Sequence, residues 1–134
     1  MAMLLVIAAG AAGLYWLGRL MSGGCAVQPV SQVVSPGREW RAVVYAYNCG
    51  ATSSSATHVS ILPSGEKGPQ GSGNVFIADH GHGPVPADAV GGPQVTLTWV
   101  AADRLRVVRP SHARVFRART TMGKVTVSHT LVPG

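Results

Sequence analysis

The chain has 134 residues, 11 Lys and Arg against 5 Asp and Glu, a formal net charge of +6, and 17 glycines with 9 prolines. The only carboxylate side chains are Glu39, Glu66, Asp79, Asp88 and Asp103, which leaves little for paired acid–base catalysis. Beyond the apolar opening about 110 residues remain, enough for one hydrophobic core and too few for two domains.

No charged side chain occurs from Met1 to Gly18, and Arg19 then closes the run. A bilayer core of about 30 Å takes roughly 20 apolar residues as a helix. Residues 2–21 reach that length if Arg19 snorkels toward the headgroups, and Tyr15 and Trp16 suit an interfacial aromatic belt. A secretory signal usually has a basic start and an apolar stretch of about 7–15 residues. The opening therefore predicts one N-terminal transmembrane helix within 1–22, a retained anchor whose partner is the lipid bilayer. A cleaved or lipidated signal and a buried soluble helix are the alternatives. Ala9 and Gly13, four apart, permit close approach of another helix and so association with other membrane proteins.

Arg19, Arg38 and Arg41 follow the span and no Lys or Arg precedes it, which favours a cytoplasmic domain. Two cysteines in a small domain point outward, because disulfides persist outside the reducing cytosol. Cys25 has three readings. Gly24 before it suits lipidation after signal cleavage, although Ser22 stands where an aliphatic residue is usual. A disulfide with Cys49 would contribute about 3 kcal/mol on the chain-entropy estimate. A free thiol would pack as a small hydrophobe.

A linker is expected over 23–37 and a small all-β domain over 38–134. Short segments rich in Val, Ile, Thr and aromatics predict strands at 40–47, 58–62, 74–78, 94–100, 105–108, 113–117 and 124–131. Val95, Leu97 and Trp99 alternate with Thr96 and Thr98, and Val125-Thr126-Val127-Ser128 repeats that period. Such alternation indicates antiparallel strands with one buried and one wet face. The apolar runs 42–46 and 75–78 read as central strands. The fold class expected is thus an antiparallel meander or sandwich of about seven short strands. Residues 63–73 read as an exposed turn region, and 79–93 as a loop long enough to be either functional or disordered.

The segments Ser35-Pro36, Trp40-Arg41-Ala42-Val43-Val44, Cys49-Gly50-Ala51-Thr52 and Gly73-Asn74-Val75-Phe76-Ile77-Ala78-Asp79 resemble a family of small uncharacterised bacterial proteins of envelope type. The likeness continues through Trp99, Asp103-Arg104-Leu105 and Val115-Phe116. Members often carry an upstream cysteine beside the Cys-Gly-Ala-Thr segment, which implies a Cys25–Cys49 pairing. Here Gly37-Arg38 stands where an Asp-Gly turn is common, and Ser53-Ser54-Ser55 replaces a bulkier stretch. The resemblance implies no established activity.

No acidic residue follows Asp103, whereas Arg104, Arg106, Arg109, Arg114, Arg117, Arg119 and Lys124 do. Residues two apart on a strand share a face, so Arg104 goes with Arg106 and Arg117 with Arg119. Arg104, Arg106, Arg114, Arg117 and Arg119 form the expected basic patch. It could hold anionic lipid at about 1 kcal/mol per residue, or meet an acidic partner or an envelope polymer. Nucleic acid is not expected, because aromatics do not interleave with the arginines. The plain alternative is a solvated sheet face in an arginine-rich chain.

His80 and His82, beside Asp79, are weak metal candidates, since a zinc site needs three or four ligands and His58, His112, His129 and Asp88 are scattered. No nucleophile elbow is present, and no helix follows Gly71-Ser72-Gly73 to receive a phosphate. No catalytic residue and no cofactor are expected. The leading expectation is a non-enzymatic accessory or interaction module, single-pass in the bacterial inner membrane, its domain toward the periplasm or exterior. The alternatives are a small subunit of a larger membrane complex, and a metal- or ligand-binding protein using the His80/His82 loop.

Overall fold

Segments of β-branched and aromatic residues, cut short by Gly and Pro, favour pleated strands over helices. The computed structural model describes residues 26–48, 56–81 and 83–133, which form an all-β domain of nine strands in two sheets. Among these residues no helix is long and apolar enough to cross a membrane. The expected helix over 1–22, together with Cys25, Cys49 and His82, lies outside the described residues.

The first sheet has the order β1 (Ala26–Val34), β2 (Trp40–Asn48), β3 (Thr57–Pro63), β4 (Phe76–Asp79), β7 (Arg114–Ala118), antiparallel throughout. The second has the order β5 (Thr96–Ala101), β6 (Arg104–Pro110), β9 (Val125–Val132), β8 (Thr121–Met122). Between the sheets lies the core. Ala42, Val44, Val59, Ile61, Phe76 and Ala78 of the first sheet meet Leu97, Leu105, Val107, Val125 and Val127 of the second.

Two features depart from the sequence expectation. The second sheet is mixed, for β6 and β9 run parallel, from Arg104 opposite Thr126 to Pro110 opposite Val132. After β6 the chain crosses to add β7 to the first sheet and returns through β8, so β9 enters from the same end as β6. Parallel neighbours need such a crossover, which local patterning does not report.

The second departure is β1, which occupies most of the stretch expected as linker. Pro29 lies on this edge strand, where a missing N–H need not cost a ladder bond. A bulge at Val30 then lets both Val30 and Val33 pack against the core.

The two outer faces differ. Over the first sheet the segment 63–74 forms a third layer, and Val43, Tyr45, His58 and Ser60 are buried beneath it. One hydrogen-bond chain fastens that layer. Asn74 N–H donates to Ser60 Oγ (3.1 Å), and the Tyr45 hydroxyl donates to the Gly71 carbonyl (2.7 Å). Ser60 O–H is left to donate to Tyr45 Oη across 3.0 Å. The Asn74 amide also pairs with both backbone groups of Ile61 (2.9 and 3.0 Å).

The 79–93 loop is ordered by its own bonds. Asp88 accepts from the N–H groups of Val90 (2.9 Å) and Gly92 (3.2 Å), and Thr57 O–H donates to the Pro93 carbonyl (2.6 Å). Asp79 accepts from Gly81 N–H (2.8 Å), an Asx turn that Gly81 completes at a φ of +62°.

Candidate interaction surface

Among the described residues, none forms a covering layer on the outer face of the second sheet. On β5, Leu97 points into the core while Thr96 and Thr98 are exposed. On β6, Leu105 and Val107 point inward while Arg104 and Arg106 are exposed. On β9, Val125 and Val127 point inward while Thr126, Ser128 and Thr130 are exposed.

Register aligns these into cross-strand rows. Thr98, Arg106 and Ser128 form one row, and Arg104, Thr126 and Thr121 form the next. The two arginines lie about 7 Å apart along β6, with hydroxyls at their sides. Ser128 Oγ reaches the Leu105 carbonyl only at 3.5 Å. Neither guanidinium has a hydrogen-bond or ion-pair partner among the described residues. The face presents two unneutralised positive charges, a set of hydroxyls and, at its margins, Val100 and Val108, with no aromatic side chain among the described residues.

The five arginines expected as one patch are divided. An extra residue in β7, Phe116, breaks the alternation there, since Ile77 faces Arg117 while Ala78 faces Val115. Arg114 and Arg117 therefore both lie on the outer face of the first sheet. Arg114 forms a fork with the buried Asp79, Nε to Oδ1 at 2.9 Å and Nη2 to Oδ2 at 2.7 Å, which raises its pKa. It also lies 5.1 Å from the Phe116 ring centroid. Arg117 donates to the Gly73 carbonyl at 2.7 Å. Arg119 lies beyond the end of β7 and is exposed. Arg109 turns inward over the Phe76 ring at 5.9 Å, and burial lowers its pKa.

Among the described residues no group of three His, Cys, Asp or Glu side chains is placed to hold a metal. His80 Nε2 bonds the Gly91 carbonyl, and His58 lies apart under the third layer.

His58 accepts a hydrogen bond at Nδ1 from Gly73 N–H (2.9 Å), so the neutral ring carries its proton on Nε2. Tyr45 stacks on it at 5.5 Å and Tyr47 meets it edge-on at 5.7 Å. Burial, with Arg117 as the lesser cause, holds its pKa below the ordinary value near 6.5. Stability from the neutral ring is therefore complete above that value and falls as pH drops through it toward the folded pKa. Urea midpoints at pH 7.5 and 5.0 should show a loss on acidification that His58→Asn reduces, because Asn keeps an acceptor near Nδ1 and does not titrate. An equal loss in both proteins would remove His58 from the account.

The register, more than residue type, makes this surface. Sequence alternation shows the threonines and arginines facing outward strand by strand, but not that β5, β6 and β9 set them in common rows. The Tyr45–Ser60–Asn74 fastening had no sequence signal, as Tyr45 sits in an unbroken apolar run. In comparisons with protein-family models, curated proteins and solved structures, nothing matches this chain.

Proposed function

We propose that this protein is a membrane-anchored, non-enzymatic interaction module of the bacterial cell envelope, with the open face of the second sheet as its working surface. The observation that carries the reading is the contrast between the two outer faces: one is sealed by a third layer, the other bears unpaired Arg104 and Arg106 among hydroxyls. Residues 2–21 serve as the single-pass anchor in the inner membrane, and the domain faces the periplasm or exterior. No pair of carboxylates supports acid–base chemistry, with Asp79 occupied by Arg114 and Asp88 by its own loop.

The β1–β2 ladder supports the disulfide. It ends with Ala26 opposite Asn48, whose neighbours in sequence are Cys25 and Cys49. Membrane fractionation with intact mass, before and after reduction, tests anchor and bridge together. The expected result is a carbonate-resistant membrane protein that retains residues 2–21 and gains two hydrogens on reduction. A soluble species, or one with an acylated Cys25 as its first residue, would overturn the retained anchor.

The subunit reading has one supporting observation. Leu131 and Val132, at the end of β9, are exposed at 54% and 38%. A lone small species on native size analysis after detergent extraction would count against it.

A further inference from the structure

We propose that the open face binds a phosphate-bearing anionic polymer, held away from the anchoring bilayer. This rests on the reading of that face as the working surface.

Strand direction separates the polymer from the headgroups. β1 starts at Ala26, next to the N-terminal segment, and runs nine residues to Val34, a span of about 26 Å. Its far end abuts the second sheet, where Trp99 Nε1 donates to the Val33 carbonyl at 2.9 Å. Gly37 in the β1–β2 turn lies beside Ala102 in the β5–β6 turn. Arg104 follows that turn directly, so the paired arginines sit toward the end remote from Ala26. A Debye length of about 8 Å at physiological salt leaves little attraction between them and lipids at the Ala26 end.

The chemistry of the face selects among remaining anions. Guanidinium forks and hydroxyl donors together match phosphate oxygens. Sugar rings and bases would call for aromatic platforms, and the face has none. An acidic protein would call for a buried aromatic or aliphatic anchor at its centre. Here the central row is Thr98, Arg106 and Ser128. Successive rows along β6 suit an extended chain of repeated anions better than a single compact one. Arg114 and Arg117 do not compete, because they lie on the outer face of the first sheet, occupied by Asp79 and the Gly73 carbonyl.

The test uses the full chain in neutral detergent and long-chain inorganic polyphosphate as the probe. Binding should weaken with salt. The double variant Arg104→Gln/Arg106→Gln should lose about tenfold or more in affinity, and Thr98→Val/Thr126→Val several-fold. Arg41→Gln/Lys67→Gln removes the same charge from the covered side of the first sheet and should leave affinity within about twofold. Equal loss in both charge doubles would mean bulk attraction only and overturn the proposal. Equally tight binding of polyglutamate would overturn the phosphate preference. Arginine-dependent binding to phosphatidylglycerol vesicles without polyphosphate binding would assign the face to lipid instead. A chain found soluble in cells that still binds polyphosphate would overturn the anchor and spare this site; an anchored chain that does not bind would do the reverse.

Discussion

Gly73→Ala is expected to cost about 3 kcal/mol or more. A Cβ at residue 73 would stand 2.8 Å from both Val59 N and Val59 O, and closer still to the Phe76 carbonyl oxygen. All three are backbone atoms of β3 and β4, so no side-chain rotation relieves the clash. The strands would have to part, and with them the bond from Gly73 N–H to His58. Gly65 is the matched control, because nothing lies within 4 Å of a Cβ built there. Urea unfolding should place Gly65→Ala within about 0.5 kcal/mol of the parent. Similar behaviour of the two variants would contradict the close approach of residue 73 to β3.

The second large effect is at Tyr45, fully buried between the first sheet and its third layer. Removing the ring in Tyr45→Ala should cost about 3–5 kcal/mol. Tyr45→Phe keeps the ring and deletes only the hydroxyl that links Ser60 to the Gly71 carbonyl, at about 1–2 kcal/mol. The difference between the variants separates packing from hydrogen bonding. Trypsin supplies an independent reading, because Lys67 lies exposed in the segment that the hydroxyl fastens. Cleavage there should be faster in Tyr45→Phe than in the parent at equal folded population. If it is not, the hydroxyl chain does not hold the layer down.

Much of the fold was legible from local pattern. The alternating runs at 95–99 and 125–128 became β5 and β9 with their threonines outward, and the apolar runs 42–46 and 75–78 became interior strands of the first sheet. What local pattern missed depends on partners distant in sequence. β1 is mostly exposed, breaks its valines with Gln, Ser and Pro29, and takes its strand form from the edge position beside β2. The parallel β6–β9 pairing follows from a crossover that no window of residues records.

The candidate site divides in the same way. Arg104 and Arg106 share a face because β6 is regular between them, so counting by twos was enough. In β7 the bulge at Phe116 instead puts Arg114 and Arg117, three apart, on one face. A bulge leaves no mark in the sequence that composition or periodicity would detect.

The direction of β1 has a mechanical consequence. Eight residue pairs tie it to β2, and ladder bonds lie perpendicular to the strands. Suppose the polymer grips the remote end of the second sheet while the N-terminal segment is held in the bilayer. Tension between them then runs along the strands and loads the β1–β2 ladder in shear, with all its rungs bearing at once. A domain hung by its first strand in this way is suited to work as a tether under load.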